Sequence, residues 1–267
     1  FRDTATTDHA QRQQKIHHNI STDTEFYKFK SKINFITELH SQYYYTENKT
    51  ISNSNYTGSY GRIFPMTGLY IETPLIDKNN NFNFTPKVSL IFNGAQSNSD
   101  KVSNEESTNN SYSLLNSSSI NRFTGSDKLD NSKRINYGFD ISKNLLEFSL
   151  SQSYELEKNN NYNQEVGLKD YMSDLLGQTS YNGNKNSLSH NFRFNVDQGL
   201  VKAQTLSYAN KNILGNSNFL YTEERKENNA ILETGTETMK IDFVSNKFFN
   251  YSNINLSSSF DLAKDDP

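Results

Sequence analysis

Three groups of residues could do chemistry, and the first two have plainer interpretations. His17 and His18 are adjacent, but neighbouring strand residues point to opposite faces, so their rings do not converge on one metal ion. The stretch DKNNNFN, from Asp77, begins like a calcium loop but lacks the required glycine and final glutamate, so we interpret it as a hairpin turn. There is no cysteine and no Ser-His-Asp, phosphate-loop or zinc-protease pattern. We therefore expect no metal, no cofactor and no enzymatic activity.

Lys28, Lys30 and Lys32 form the third group. They are spaced two positions apart, so an extended chain would place them on one face as a basic lumen wall. Such a wall could contact the phosphate groups of a ligand. A solvated wall explains the same spacing without any ligand.

The composition predicts a folded protein that does not bind nucleic acid. The 267 residues include 18 Phe and 16 Tyr, whereas disordered segments are poor in aromatic residues. A net charge of −3 provides no basic field to attract nucleic acid. No apolar run approaches the length of a membrane helix. The sequence begins without Met, and we expect it to be an excerpt from a longer protein.

Polar and apolar residues alternate over unusually long stretches. From residue 26 to 45 the period of two persists for about 17 residues, whereas a globular strand has about 5–6. A helix would mix the two sets on every face. Later stretches place Ser149 and Asn191 opposite large apolar residues. The apolar positions that we expect to share one kind of face are Phe29, Ile33, Phe35, Leu39, Phe148, Leu150, Phe192 and Phe194.

Between these stretches the sequence predicts loops and one proline-bounded strand. Residues 46–59 and about 95–112 are polar, and we interpret both as loops. The expected strand over 62–76 has Pro65 and Pro74 near its ends, because proline cannot donate to a strand ladder.

These patterns favour an all-β fold, an antiparallel transmembrane β-barrel with the apolar faces toward lipid and the polar faces toward a wet lumen. At about 20 residues per strand and connection, the chain supplies roughly 11–14 strands, a part of a larger barrel. A soluble adhesin or solenoid would show a fixed repeat, which is not found. A porin or other passive channel fits the strands equally well.

The stretch NRFTGSDKLDNSKRINYGFD, residues 121–140, begins as a polar segment and continues into an alternating, strand-like pattern. Gly125 permits a backbone conformation that other residues resist, and Asp127 can accept nearby backbone N–H groups. Arg134 can pair with Asp127 or Asp130, and Phe123 supplies an apolar anchor. We therefore predict an ordered loop with internal partners.

This stretch resembles a motif in the C-terminal barrel of the outer-membrane lipopolysaccharide-assembly family LptD. Two further stretches, GRIFPMTGLYIETPL at 61–75 and SQSYELE…GLKDYMSDLLGQTSY at 151–181, resemble strands of that family in the same order. The positions that match the motif, interpreted as structural or lumen-facing, are Asn121, Phe123, Gly125, Asp127, Arg134, Asn136, Tyr137 and Gly138.

The resemblance implies transport rather than covalent chemistry. Lipopolysaccharide would pass from a periplasmic transport bridge, through the barrel, to the outer leaflet of a Gram-negative outer membrane, where membrane lipids surround the barrel. A lipoprotein plug would fill the lumen. Residues 1–267 would belong to a single barrel domain, with the periplasmic N-terminal domain absent.

Overall fold

The computed structural model describes residues 10–94, 98–107, 112–158, 168, 171–228, 231–246 and 253–262. These residues form 13 β-strands and no helix. In the described part of the chain, no helical segment has the length and apolar character needed to cross a membrane. The strands are β1 (Arg12–Lys28), β2 (Ser31–Ile51), β3 (Ser54–Glu72), β4 (Leu75–Asp77), β5 (Phe82–Asn93), β6 (Lys133–Lys143), β7 (Leu146–Glu155), β8 (Leu175–Asn182), β9 (Asn186–Asn195), β10 (Leu200–Lys211), β11 (Gly215–Asn228), β12 (Ile231–Ser245) and β13 (Asn255–Asp261).

All 13 strands belong to one sheet in which neighbours follow the chain, except that β4 pairs only with β5. The predicted all-β antiparallel class and the expected number of strands are confirmed. Backbone contacts divide the chain into two compact units. Unit 1 holds the described parts of Phe1–Thr73, Val88–Asn136 and Ser153–Met172, and unit 2 holds those of Pro74–Lys87, Tyr137–Gln152 and Ser173–Pro267.

In unit 1, the stretch interpreted as one strand from residue 26 is a hairpin. Phe29 and Lys30 form a two-residue turn between β1 and β2, with φ of 52° and 63°. The prediction that Phe29 lies on a strand face is therefore wrong, and so is the single strand through Lys28, Lys30 and Lys32. Lys28 ends β1, and Lys32 is the second residue of β2. Turns of this kind favour Asn-Gly, so Phe-Lys gives no signal in the sequence.

The predicted loop over 46–59 is also wrong. β2 and β3 pair almost to their ends and leave only Ser52 and Asn53 as the turn, with φ of 46° and 68°. Pro65 lies inside β3, opposite Leu39, and its carbonyl accepts a 2.7 Å hydrogen bond from the Gly94 amide. The turn at Asp77 is confirmed, because β4 and β5 form a hairpin across it and its carboxylate accepts from the Asn79 amide at 3.0 Å.

The usual relation between polarity and burial is inverted in unit 1. On one face of β2, Phe35 and Leu39 are each 41% exposed. On the other face, Gln42 is 3% exposed and Thr46 is 1% exposed. A soluble sheet buries its apolar face, so this arrangement is that of a sheet whose apolar face meets an apolar solvent.

In unit 2 the strand registers arrange side chains into rows that run across the sheet. Residues directly opposite each other share a face, so each row is uniform in orientation. One row is apolar or aromatic on six successive strands: Leu146, Tyr181, Leu188, Tyr208, Phe219 and Ile241. A row on the other face is uncharged and hydrogen-bonding throughout: Ser149, Gln178, Asn191, Thr205, Thr222 and Thr238.

Candidate functional site

The connection from β5 to β6 is the most elaborate feature of unit 1. Its described residues, 98–107 and 112–132, are called the seated loop here because they lie against the polar face of β1 to β3. Contacts to all three strands anchor this loop.

Asp127 organises two parts of the seated loop and one strand. Its Oδ2 accepts hydrogen bonds from the backbone amides of Glu105 at 2.8 Å and Glu106 at 3.0 Å. Its Oδ1 accepts from Lys15 Nζ of β1 at 3.1 Å. The Asp127 side chain is 1% exposed, so a buried carboxylate is matched by three donors. The loop thereby gains a fixed attachment to β1.

Glu106 adds an ion pair at the rim of this attachment. Lys15 Nζ lies 2.7 Å from Glu106 Oε1, and the Glu106 side chain is 51% exposed. The hydrogen bond from Lys15 holds the pKa of the Glu106 carboxyl below its ordinary value. The exposed position keeps the stabilisation from this pair small.

Gly125 is required by the same turn. Its φ is +73°, in the left-handed region that side chains resist, and a Cβ built there would lie 2.6 Å from the Glu106 carbonyl oxygen. Both conformation and space therefore exclude any other residue without local rearrangement.

Arg62 of β3 holds the loop from the sheet side. Its Nη2 donates to the Asp127 carbonyl at 2.7 Å, and its Nη1 donates to Asn98 Oδ1 at 2.9 Å. Gln42 of β2 donates from Nε2 to the Ser126 carbonyl at 2.7 Å. Because Arg62 is 4% exposed and Gln42 3%, these bonds form out of contact with bulk water.

A small apolar cluster lies under the seated loop. Phe64 and Met66 of β3 pack with Leu129 of the loop, and Ile120 packs against them. Asn98 clamps the backbone of Leu129, accepting from its amide at 2.8 Å and donating to its carbonyl at 3.0 Å. Burial of these side chains stabilises the seated position, at about 25 cal/mol per Å² of apolar surface removed from water.

A buried charge cluster fixes the end of the loop. Asp130 Oδ2 accepts from Arg122 Nε at 2.8 Å and from Arg134 Nη1 at 3.1 Å. Glu155 of β7 accepts from Arg122 Nη2 at 2.5 Å and from the Ser132 hydroxyl at 2.6 Å. The four ionised side chains are each 2% exposed or less. Two cations and two anions compensate one another, as burial of charge requires.

The remaining motif residues have distinct positions. Asn121 Oδ1 accepts from the Phe123 and Asp130 amides at 3.3 and 3.1 Å, and Phe123 is 5% exposed. In unit 1, Asn136 donates to Ser89 Oγ at 2.8 Å. These side chains shape the loop and its exit into β6.

Tyr137 and Gly138 belong to unit 2. The Tyr137 hydroxyl donates to Gln152 Oε1 at 2.8 Å, and Gln152 Nε2 donates to the Ser173 carbonyl at 3.0 Å. A Cβ at Gly138 would lie 2.2 Å from the Leu150 carbonyl oxygen. Residues from two of the stretches recognised in the sequence therefore meet in one hydrogen-bonded chain.

The sequence pattern missed several residues that hold the loop. Gln42 only fits the polar alternation of its strand, and Arg62 lies in the stretch 61–75 that resembles the family, but nothing in the sequence indicates that either side chain holds a loop. Arg122 lies inside the motif but was not selected. Glu155 lies in the stretch 151–181, where no local signal links it to Arg122.

His17 lies within hydrogen-bonding distance of His40, a contact that the sequence alone does not predict. His17 Nε2 lies 3.1 Å from His40 Nδ1, and His40 Nε2 lies 2.9 Å from Glu38 Oε2. An ionised Glu38 can only accept, so His40 Nε2 donates to it, and a neutral His40 then accepts from His17 at Nδ1. Among the described residues, no group of three or more histidine, cysteine, aspartate or glutamate side chains could hold a metal ion.

The three lysines of the predicted basic wall are placed differently from one another. Lys28 and Lys30 are exposed at the β1–β2 turn. Lys32 Nζ lies 2.8 Å from Glu25 Oε2 and is directly opposite Glu72 in β3. A phosphate-binding role for this group stays a prediction.

Long antiparallel strands, an exposed apolar face and a polar face covered by a seated loop define this chain as an outer-membrane-type β-barrel protein. The site is built for holding a segment in place. The family model described as LPS transport system D, LptD, matches residues 1–265. The chain belongs to the LptD family, which acts in lipopolysaccharide transport at the outer membrane, and the resemblance found in the sequence is confirmed. No curated protein sequence matches the chain.

Proposed function

We propose that this chain is part of the translocon barrel that inserts lipopolysaccharide into the outer leaflet of a Gram-negative outer membrane. Residues 1–267 belong to a single, larger barrel domain. Membrane lipids contact the apolar faces, and lipopolysaccharide arrives from a periplasmic transport bridge and moves along the polar faces. A lipoprotein plug shares the lumen with the seated loop.

The covered polar face of unit 1 carries this proposal. A barrel that moves a large amphiphile must keep small solutes from leaking through the same lumen. The buried pairing of Arg122 with Asp130 and Glu155 holds the loop against the wall. Detaching the loop would separate buried charges from their partners, which costs free energy. The seated loop is therefore a fixed part of the barrel wall where it covers the polar face of unit 1.

A passive channel is the alternative. It requires polar faces that stay open to water, as in the pores of porins. In unit 1, Gln42, Thr46 and Arg62 are each at most 4% exposed, so the polar face there is covered. This observation favours a translocon over a general pore.

Replacement of the cell's own translocon by a full-length protein that contains this region tests the proposal. We expect it to restore lipopolysaccharide at the cell surface, detected with an impermeable antibody, and to exclude large antibiotics. The double variant Gly125→Val with Arg134→Ala should lose both properties. Surface lipopolysaccharide that does not depend on the introduced protein would refute the proposed function.

A matched control uses the same kinds of change outside the seated loop. Gly199 has φ of +67° with no atom within 4 Å of its Cβ position, and Lys133 forms an exposed ion pair with Glu157. The control variant Gly199→Val with Lys133→Ala should retain surface lipopolysaccharide and the permeability barrier. Equal damage in both variants would mean that the seated loop has no special role.

A further inference from the structure

A cavity of about 550 Å³ lies in unit 1 between the sheet and the seated loop. Its floor is formed by one face of β2 and β3, from Lys32 to Glu38 and at Tyr70 and Glu72, and its roof by residues 118–121. This volume falls in the range of small-molecule sites. The lining mixes hydrogen-bonding groups with an aromatic ring, which is unusual for a simple packing defect.

The Tyr70 ring lies over Gly68 on the cavity floor. A Cβ built on Gly68 would lie 2.7 Å from Tyr70 Cε2 and 2.9 Å from its hydroxyl oxygen, so the ring extends across the glycine. The ring therefore covers the sheet at Gly68, and Tyr70 also lines the cavity. An aromatic face carries partial negative charge and attracts C–H groups of partial positive charge. The apolar C–H face of a sugar ring has this character.

The charge of the lining selects against phosphate. Among the described lining residues there is one lysine, Lys32, against two glutamates, Glu38 and Glu72. Lys32 is already 2.8 Å from Glu25 Oε2 and lies opposite Glu72 in the β2–β3 ladder. A phosphate here would meet carboxylates and a neutralised cation, and like charges repel. Hydroxyl groups, in contrast, can donate to carboxylates and accept from the amide of Asn34.

Hydrogen bonds hold several groups of the cavity lining in place without any ligand. In the roof, the Ile120 carbonyl accepts from Asn93 Nδ2 at 2.7 Å, and the Ser119 carbonyl accepts from Arg134. In the floor, Glu38 is oriented by the hydrogen bond from His40 at 2.9 Å. Groups already held in place lose little conformational entropy on binding.

We propose that this cavity binds one neutral sugar ring, with Tyr70 as the stacking platform, and discriminates against phosphorylated groups. The source of the sugar, the saccharide part of lipopolysaccharide, rests on the proposed function. The site then provides a place where an unphosphorylated part of the passing saccharide can rest on the wall of unit 1.

The test uses oligosaccharide released from lipopolysaccharide by mild acid, with its phosphates either retained or chemically removed. Binding of both forms to the full-length protein that contains this region, refolded in detergent, is followed by saturation-transfer NMR and calorimetry. We expect the dephosphorylated form to bind and the phosphorylated form to bind about tenfold more weakly. Absence of binding by the dephosphorylated form, or equal binding of the two forms, would overturn the proposal.

Variants locate the site. Gly68→Ala should weaken binding about fivefold, because the new methyl group displaces the Tyr70 ring. Tyr70→Phe keeps the ring and should bind nearly as the parent does, whereas Tyr70→Ala should not bind. Gly58→Ala is the matched control, since a Cβ there would lie 2.9 Å from the Tyr56 hydroxyl oxygen on the same strand but outside the cavity. If Gly58→Ala and Gly68→Ala behave alike, the cavity is not the site.

The outcome can be separated from that of the proposed function. The binding measurement involves no transport. A protein that restores surface lipopolysaccharide but binds no dephosphorylated oligosaccharide would overturn the sugar site alone. A protein that binds the oligosaccharide but never restores surface lipopolysaccharide would overturn the proposed function and leave the sugar site standing.

Discussion

Arg122 and Glu155 are 33 positions apart in the chain, and their side chains, each 2% exposed, are joined by an Nη2–Oε1 hydrogen bond of 2.5 Å. This bond connects the seated loop to β7 within unit 1. Glu155 also accepts from Ser132, two residues before Arg134. Two residues of the loop, Arg122 and Ser132, are thus fixed to one carboxylate, which makes Glu155 the most informative position at which to perturb the loop.

We predict that Glu155→Ala destabilises the protein by about 3–5 kcal/mol, because it leaves the buried cluster with two arginines, Arg122 and Arg134, against the single carboxylate of Asp130. The free energy of unfolding in urea, measured in detergent, gives this value. Glu157→Ala is the control, since Glu157 is 69% exposed and pairs with Lys133 at 2.7 Å. Its cost should be about 0–1 kcal/mol. Similar losses in the two variants would mean that the buried cluster does not stabilise the fold.

A comparison of Gly125 with Gly199 separates two effects of replacing a glycine: backbone strain at positive φ and a steric clash of the new Cβ. Both have positive φ, +73° and +67°, but only Gly125 has the Glu106 carbonyl at 2.6 Å from its Cβ position. We predict that Gly199→Ala costs about 1 kcal/mol from backbone strain alone and that Gly125→Ala costs about 2–3 kcal/mol or more. Urea unfolding measures both.

Limited proteolysis gives an independent readout for the same pair. Gly125→Ala should expose the seated loop to cleavage near Lys128, whereas Gly199→Ala should leave this part of the chain as resistant as in the parent. Equal costs for the two substitutions would mean that the contact with Glu106 is unimportant.

The sequence predicted the features that follow from local chemistry. Alternation places Phe148 and Ser149 on opposite faces whatever the neighbouring strands are, and the left-handed turn at Gly125 depends on one residue. The turn at Phe29 and Lys30 was missed because the strands on both sides impose it on residues with no preference for it. A two-residue turn also continues an alternating pattern without a visible break.

The partners within the charge cluster could not be found in the sequence alone. Arg134 was expected to pair with Asp127 or Asp130, and the structure shows a 3.1 Å ion pair with Asp130, while Asp127 serves the loop backbone and Lys15. Local spacing allowed both choices. The third element, Glu155, comes from a later strand, and its position depends on strand order rather than on any nearby residue.

The ion pair of Lys15 with Glu106 predicts a contribution to stability that depends on pH. The hydrogen bond from Lys15 lowers the pKa of Glu106 in the folded protein below its unfolded value of 4.5. The stabilisation is therefore fully present above pH 4.5 and is lost as the pH falls through the lower folded pKa. Glu106→Gln should lose stability above pH 4.5 and converge with the parent in more acidic solution.

Urea unfolding at several pH values between 3 and 7 checks this. The difference between the parent and Glu106→Gln is the relevant quantity, because other carboxylates titrate in both proteins. A difference that stays constant across the acidic range would show that the pair does not act through ionisation of Glu106.

The adjacent residues Asn191 and Phe192 test which face of β9 meets lipid. Asn191 lies in the uncharged row with Gln178 and Thr205, whereas Phe192 lies opposite Gly177 and Gln204 on the apolar face. Phe192→Lys places a charge toward lipid and should cost about 2–4 kcal/mol if it lies near the membrane midplane. Asn191→Lys points to the wet face, where the ammonium group stays hydrated, so its cost should be much smaller.

Folding into lipid vesicles, followed by urea unfolding, gives both values under one condition. A larger loss for Asn191→Lys than for Phe192→Lys would reverse the orientation of the sheet, and equal losses would mean that neither face meets lipid.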